Sequence, residues 1–428
     1  MMTLKGAVCL KHYDVIVAGG GPAGITAAAE SARQGAETLL VERCGCLGGN
    51  LTLGLVGPFM GSVGPGTAAD ELIRLLGSPY PEAVCFDAEE AKYRLAEYVK
   101  ASGADVLLQT SVIGVSAENG VIRSAELAGK GGRFSAEADL FVDATGDGDL
   151  AVLAGADYEM GREKDGLMQP MSILFVIGGA DPEQHLVCHH EKDETVFPDG
   201  RSYLRLCREA CEAGELPETV NIVRLYATGR PDERMVNATQ LNGVSGLDAP
   251  SLFDADLELR RQIEMCCAFL RRRVPGFEHI FLRSSASLTG VRESRRILGD
   301  TVLTADDLAA GRKFEDAAVH NACFCVDIHN PSGAGQADGA DRLKVRPYDI
   351  PFGCMRPRGI ENLLTCGRCI SGTHEAHASY RVMVICMAMG QAAGIAAATA
   401  ARLGCTTRQL DIREVRKRMA DRGVRLNG

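Results

Sequence analysis

The chain has 428 residues, 46% of them hydrophobic, which is enough for two or three packed domains. Its 46 basic and 56 acidic residues give a formal net charge of −10, which offers no overall basic field to nucleic acid or to an anionic membrane. Sixteen cysteines and no apolar leader in the first ten residues predict free thiols in a reducing cytoplasm. Glycine and glutamine interrupt the alanine-rich C-terminal segment, so we expect a soluble protein without a membrane span.

The first predicted unit is a βαβ arrangement in YDVIVAGGGPAGITAAAESARQGAETLLVER. Gly19, Gly21 and Gly24 have the G-x-G-x-x-G spacing, which permits a tight turn, close approach of a pyrophosphate and close helix packing. Glu42 ends the second strand, where a carboxylate can accept both ribose hydroxyls of an adenosine. The pattern predicts dinucleotide binding but does not separate NAD from FAD.

Two further stretches extend this unit. The loop RCGCLGGNLTLG contains Gly48 and Gly49, which let the backbone run against a flat or phosphorylated ligand, although an ordinary loop has the same composition. In VLLQTSVIGVSAENGVIRSAEL, the alternation around Asn119-Gly120 predicts a hairpin, and ADLFVDATGDGD predicts a returning strand that ends in a glycine-acid turn. Such a β-meander is typical of flavoproteins.

The rest of the chain predicts an insertion and a return. Residues 156–345 lack the βαβ rhythm and contain loops such as NPSGAGQADGADR, so we predict an inserted α+β substrate or cap domain. Residues 1–155 and 346–428 then form the two parts of one Rossmann-like domain. The second part contains a small, apolar helix from about Val382 to Leu403, and the chain ends in a further helix.

Four blocks together resemble a known family. They are VAGGGPAG, VDATGDGDLA with the downstream QPMSILF, TGVRESRRILGD, and CGRCISGTHEAHASYRVMVICMAMGQAAG. In their order along nearly the whole chain they resemble the FAD-dependent oxidoreductase family, whose cofactor domain has the glutathione-reductase-type fold. The resemblance implies an α/β fold with a discontinuous, Rossmann-like FAD/NAD(P)-binding domain. It also implies FAD as the cofactor, with its isoalloxazine between this domain and the inserted one.

The resemblance further implies contacts to FAD at particular positions. The residues expected at the pyrophosphate are Gly19, Gly21, Pro22, Ala23 and Gly24, and those expected at the ribose and adenine are Glu42, Arg43 and Val112. The residues expected near the phosphates and flavin are Leu47, Gly48, Gly49 and Asn50, and those expected at the end of the returning strand are Ala144, Thr145 and Gly146. Gly367 and Arg368 are expected at the pyrophosphate or ribitol, and the amides of Val382 and Met383 at the flavin O2.

Two departures from related flavoproteins bear on function. Arg368 stands where the wider glutathione-reductase class usually has an acidic residue, and a cation there suits a pyrophosphate. The chain has no second complete G-x-G-x-x-G unit, which flavoproteins reduced by NAD(P)H commonly use for the nicotinamide. Reduction by an organic substrate is therefore favoured.

The residues that could move a proton or hold a substrate lie in two blocks. His374 and His377 are three residues apart, just before the long helix, so both could face one pocket as acid or base, or both could be hydrogen-bonded loop histidines. Arg292 and Arg295, with Arg296, flank Glu293. They could hold a carboxylate or phosphate bidentately, or they could form salt bridges between domains.

The cysteines and the other histidines are weaker candidates. Cys366 and Cys369 form a C-x-x-C, but the additional cysteines of an iron–sulfur site are missing, so buried small side chains are favoured over a redox pair. His185, His189 and His190 lie among acidic residues, where a polar exposed segment is favoured over a metal site. We expect no metal.

The sequence therefore predicts an FAD-dependent oxidoreductase that exchanges a hydride with a small polar organic substrate, either a carboxylate or a sugar-like alcohol. The electron partner is unknown, and a homo-oligomer is possible. The first alternative is an electron-transferring flavoprotein subunit that works with thiols or an iron–sulfur partner. The second is a nucleic-acid-modifying flavoprotein, against which the acidic balance argues.

Overall fold

The structure is a computed structural model, and it describes residues 8–77, 84–184, 186–190, 193, 195–337 and 343–426. Within these residues the strands are β1 (Val8–Cys9), β2 (Tyr13–Ala18), β3 (Thr38–Val41), β4 (Asp105–Leu107), β5 (Thr110–Glu118), β6 (Val121–Gly129), β7 (Gly132–Asp143), β8 (Tyr158–Met160), β9 (Phe175–Gly178), β10 (Arg224–Ala227), β11 (Arg234–Asn237), β12 (Phe281–Ser285), β13 (Arg295–Ile297), β14 (Ala317–Ala322), β15 (Tyr348–Pro351) and β16 (Leu363–Thr365).

The helices of the same residues are α1 (Pro22–Arg33), α2 (Ala68–Leu76), α3 (Ala88–Ser102), α4 (Asp149–Leu153), α5 (Tyr203–Glu212), α6 (Ala249–Arg273), α7 (Ala305–Ala310), α8 (His374–Tyr380), α9 (Met383–Leu403) and α10 (Ile412–Asp421).

The large sheet combines a parallel part with a β-meander. Its strand order is β4-β3-β2-β7-β6-β5, and β1 and β16 also pair with β7. The pairs among β4, β3, β2, β7 and β16 are parallel, whereas β5, β6 and β7 pair antiparallel. Asn119 and Gly120 form the predicted hairpin turn with positive φ angles of 51° and 77°. The predicted Rossmann-like α/β fold with a meander is confirmed.

Helix α9 packs directly on α1 beside this sheet. A side chain at Gly390 would lie 2.0 Å from the Ala23 carbonyl oxygen, and one at Gly394 would lie 2.2 Å from that of Ala27. The Thr26 hydroxyl donates to the Met387 carbonyl across the same contact, at 2.8 Å. Small residues therefore allow the two helix backbones to approach closely, which fixes the start of α9 near the start of α1.

A second core surrounds a separate antiparallel sheet of order β10-β11-β9-β12. Helices α5 and α6 cover it, and its buried side chains include Phe175, Tyr203, Leu259 and Phe269. This α+β layer lies inside the range predicted for the insertion, and the boundaries at 156 and 345 stay predictions.

Residues after the second core return to the first core. Leu303, Leu308, Val319 and Ile328 pack in the same cluster as side chains from α1 and α9. Strand β14 pairs with β15 at this place, and β13 pairs with β8. The packing therefore groups these residues with the large sheet, although they precede residue 345.

One described helix, α9, is long and apolar enough to cross a membrane by length and composition alone, with a mean hydropathy of 1.6. All of its apolar window is buried inside the protein. Its apolar character is thus explained by its position in the core.

Candidate functional site

The glycine turn joins β2 to α1 under tight steric limits. Gly19 has φ +97°, and a Cβ there would lie 2.5 Å from the Ala144 carbonyl oxygen. A Cβ at Gly24 would lie only 1.7 Å from the Gly19 oxygen, whereas one at Gly21 would meet no protein atom within 4 Å. Gly21 is also the N-cap of α1, and no side chain caps this helix start. The turn therefore leaves open space beside the amide-rich, partially positive end of a helix.

Glu42 follows β3 and is buried beside this turn. One carboxylate oxygen accepts from the amide of Gly20, and the other accepts from the amide of Cys44 at 2.6 Å. These bonds fix the orientation of the carboxylate, and each oxygen keeps a second acceptor position for a hydroxyl group. Arg43, the next residue, is exposed at the same edge.

A charged network borders the opposite side, where β7 and β16 end. Arg368 donates from one terminal nitrogen to Asp147 at 3.0 Å, and the Ser294 hydroxyl donates to the same carboxylate oxygen at 2.7 Å. Burial alone would raise the pKa of Asp147, but Arg368 and Ser294 outweigh it and lower this pKa. The other terminal nitrogen of Arg368 is buried without a hydrogen-bond partner among the described residues.

The junction of α8 and α9 supplies the third border. Arg381 caps the end of α8, and α9 begins at Met383 with no side-chain cap at Val382. From the second core, the segment after β12 reaches the loop that follows β3, because the Ser287 amide donates to the Leu53 carbonyl at 2.8 Å. The two cores therefore meet at this loop.

These borders line an open cleft of about 1300 Å³, a volume that includes the solvent space at its mouth. Most of the predicted cofactor residues line it: Gly19, Gly21, Pro22, Ala23, Glu42, Arg43, Gly49, Asn50, Val112, Ala144, Thr145, Gly146, Gly367, Arg368 and Met383. Gly24, Leu47, Gly48 and Val382 do not line it. Gly24 is in close contact with Gly19, and Leu47 packs where a Gly20 side chain would lie.

The predicted catalytic residues lie outside the lining of this cleft. His374 and His377 belong to the short helix α8, which is separate from the long helix α9. The His374 Nδ1 atom lies 2.9 Å from the buried Glu293 carboxylate, while the His377 Nδ1 is buried without a partner among the described residues. Arg292 donates to the Pro170 carbonyl, and Arg295 pairs with Asp149. The catalytic roles stay predictions.

The cleft also contains residues that the sequence reasoning did not select. They include Arg381, Asp147, Leu288, Thr289 and Val291. Arg381 directly precedes the predicted pair Val382 and Met383, so its place in the sequence could have indicated that it lies at the cofactor cleft. The residues from 288 to 291 had no such signal, because only the packing of the second core places them there.

The thiols show no sign of redox pairing. Cys366 and Cys369 are fully buried, and burial raises the pKa of both thiols well above the usual range, with the nearby Asp143 adding to the effect. None of the sixteen cysteines, all of which lie among the described residues, forms a disulfide. Across the described residues, no group of three or more His, Cys, Asp or Glu side chains is arranged to hold a metal ion.

The histidine-rich segment is also described only in part, because His185 lies outside the described residues. The His189 ring stacks on Tyr226 with 4.8 Å between centroids, and the His190 Nδ1 atom lies 2.8 Å from Asp193. His189 and His190 thus each have a local structural contact.

The geometry of the cleft fits FAD. Gly21 faces open space at an uncapped helix start, and one buried nitrogen of Arg368 has no hydrogen-bond partner among the described residues, so both positions can receive a pyrophosphate. The chain belongs to the FAD-dependent oxidoreductase family, because the sequence model described as FAD dependent oxidoreductase matches residues 14–419. It is an enzyme family, and FAD is its cofactor.

The chain is also similar to individual known proteins. Over 116 residues the chain is 41% identical to the thiamine thiazole synthase of Aeropyrum pernix, a match covering 26% of this chain and 42% of that protein. The matched region thus spans less than half of this relative. The p-nitrophenol 4-monooxygenase PnpA from Pseudomonas putida is 10% identical, with a TM-score of 0.52 over 96% of this chain and 85% of that one. A geranylgeranyl bacteriochlorophyll reductase-like protein from Thermoplasma acidophilum is 14% identical, with a TM-score of 0.49 over 96% and 84%.

Proposed function

We propose that this flavoenzyme transfers a hydride between a carbon atom of a small polar organic substrate, a carboxylate or a sugar-like alcohol, and the N5 atom of the flavin. One observation carries the proposal. The cleft that contains the cofactor motif is also lined by Leu288, Thr289 and Val291, which follow the four-stranded sheet. A substrate held by the second core would therefore face the cofactor across this cleft.

Each group of lining residues has a role in this proposal. Bound FAD supplies a flavin that can accept or donate a hydride. The amides at the uncapped start of α1 and the Arg368 terminal nitrogen that has no partner among the described residues would bind the pyrophosphate, and the fixed Glu42 carboxylate would accept from the ribose hydroxyls. Met383, at the uncapped start of α9, offers its backbone amide to the flavin O2.

The proposal assigns the proton to His377, with His374 as the alternative. The carboxylate of Glu293 holds His374, whereas the His377 Nδ1 has no partner among the described residues. Burial, with Arg381 adding to it, lowers the pKa of His377 well below the usual range, so this imidazole is neutral and has an unprotonated ring nitrogen. Because His377 does not line the cleft, proton transfer between the substrate and this ring would require a bridging water.

An anaerobic spectrum tests the proposal. The FAD-loaded protein is mixed without oxygen with alcohols, hydroxy acids, amines and nicotinamides, and the flavin absorbance is followed. We expect one class of alcohol or hydroxy acid to bleach the flavin, and His377→Gln to slow bleaching more than His374→Gln. Bleaching by nicotinamides alone would contradict the proposal. Equal bleaching rates in both variants and the parent would show that neither histidine transfers the proton.

The alternative, an electron-transferring flavoprotein subunit, is separated by a different measurement. Iron and acid-labile sulfide in the purified protein, together with no bleaching by any organic compound, would favour it. Their absence, with bleaching by the isolated protein, would exclude it.

A further inference from the structure

The three arginines of the GVRESRR motif have different surroundings. Arg295 pairs with Asp149 at 2.9 Å, and Arg296 pairs with the buried Glu293. Arg292 forms no ion pair with a carboxylate of the described residues, and one of its terminal nitrogens donates to the Pro170 carbonyl at 2.8 Å. It is nevertheless only 9% exposed. A buried guanidinium without a directly paired carboxylate is costly, so an anion bound beside Arg292 would stabilise it.

A second arginine lies in the same cluster and reaches the cleft. Arg381 donates to the backbone carbonyl of Asp327 at 3.1 Å and to its carboxylate at 3.2 Å, while its Nε atom is buried without a partner among the described residues. Asp327 also lies 3.8 Å from the Nε2 atom of His329. One carboxylate is thus shared by several donors.

The electrostatics of the cluster show an excess of positive charge. Burial and the neighbouring Arg381 lower the pKa of Arg292 to about 9. Burial alone would raise the pKa of Asp327, but the positive charges around it, Arg381 and Arg292 among them, hold it at about 2. Burial and Arg292 lower the pKa of His329 well below the usual range, so its ring is neutral. Arg292 and Arg381 therefore face one charged aspartate, and Arg224 adds to the positive field on Arg292 and His329.

An unpaired amide adds to these donors. Gln169 is 1% exposed. The oxygen of its side-chain amide accepts from the His329 backbone amide at 3.3 Å, but the nitrogen of the same side-chain amide has no partner among the described residues. Gln169 directly precedes Pro170, whose carbonyl holds Arg292. The buried cluster is thus rich in donors and poor in acceptors, which is the complement of a carboxylate.

We propose that the arginine pocket, formed by Gln169, Arg292, Asp327, His329 and Arg381, binds a carboxylate group of the substrate. The inference rests on the proposed function for the place of the substrate beside the flavin, and it narrows the substrate to an organic acid. Arg292 supplies the unpaired charge, and Arg381 connects the pocket to the cleft. The planar guanidinium of Arg292 and the planar side-chain amide of Gln169 match the planar oxygen pair of a carboxylate better than the tetrahedral oxygens of a phosphate.

Direct binding tests this inference without turnover. The FAD-loaded protein is titrated with glycolate, malonate and succinate by calorimetry while the flavin spectrum is recorded, and malonamide and inorganic phosphate serve as comparison probes. We expect at least one carboxylate to bind saturably and perturb the flavin spectrum. Malonamide should not bind, and phosphate should bind more weakly than the carboxylate.

Variants locate the site. Arg292→Gln should weaken carboxylate binding at least tenfold, and Arg292→Lys, which keeps the charge but loses the planar fork, should weaken it less. Arg205→Gln is the matched control because it removes one arginine charge from the exposed face of α5, and its affinity should stay within twofold of the parent. Circular dichroism and FAD content verify that each variant is folded. If Arg292→Gln does not fold, the affinity of Arg292→Lys and the preference of the parent for carboxylates over malonamide test the inference instead.

Several outcomes would overturn the inference. They are no binding of any carboxylate, equal binding of malonamide, tighter binding of phosphate, or unchanged affinity in a folded Arg292→Gln variant. Carboxylate binding without bleaching of the flavin by any organic compound would sustain the site and refute the proposed function. Bleaching by alcohols without carboxylate binding would do the reverse.

Discussion

Two glycines of the α1 turn should respond differently to the same added methyl group. In Gly24→Ala the new Cβ would lie 1.7 Å from the Gly19 oxygen and 3.1 Å from the Ala144 side chain, so helix or strand must move. Overpacking of this kind costs about 1–3 kcal/mol. In Gly21→Ala the Cβ would meet no protein atom within 4 Å, and φ is −75°, so the fold should lose less than about 1 kcal/mol, the approximate cost of alanine at an N-cap.

The two variants should therefore separate cofactor binding from folding. The Gly21 methyl group would occupy the space where the pyrophosphate is proposed to lie, so FAD affinity should fall at least tenfold, about 1.4 kcal/mol. Urea unfolding of the FAD-free protein measures stability, and quenching of flavin fluorescence measures the dissociation constant. Unchanged FAD affinity in Gly21→Ala would refute the placement of the pyrophosphate, and unchanged stability in Gly24→Ala would refute the steric argument.

Three further predictions concern packing, pH and the thiols. Gly390→Ala should lower the free energy of unfolding by at least about 2 kcal/mol, measured in urea, because its Cβ would lie 2.0 Å from the Ala23 oxygen. Burial raises the pKa of Asp143 to about 6, so its contribution to stability should fall as pH rises from about 4 to about 6. Asp143→Asn should lack this slope in unfolding experiments across that range, whereas a parallel pH dependence would contradict the assignment. Cys369→Ala should cost about 1 kcal/mol of stability and leave the rate of flavin bleaching unchanged, because the buried thiol only fills space; slowed bleaching at full FAD content would revive a thiol relay.

Local patterns predicted the cofactor half of the molecule well. The βαβ unit, the Asn119-Gly120 hairpin and the apolar helix α9 each follow from periodicity and turn residues within a short stretch, and the structure confirms them. Glu42 and the glycine turn lie together because both end neighbouring parallel strands, β2 and β3. This arrangement follows directly from the sequence order.

The residues proposed to bind the substrate could not be predicted from local patterns, because most of their contacts join distant parts of the chain. Glu293 is adjacent to Arg292 in sequence, yet it pairs with Arg296, and the partner of Arg295, Asp149, lies far away along the chain. Similarly, the spacing of His374 and His377 suggested a shared pocket, but Glu293 binds only the first, and neither ring lines the cleft. Packing between the two cores determines these differences.

The most direct test of the account is the rate of flavin reduction by an organic substrate deuterated at the carbon that would lose the hydride. The FAD-loaded protein is mixed without oxygen with the bleaching compound in its protium and deuterium forms. Hydride transfer in the cleft predicts slower bleaching by the deuterated compound. Equal rates with both isotopes, or a flavin that only nicotinamides bleach, would contradict it.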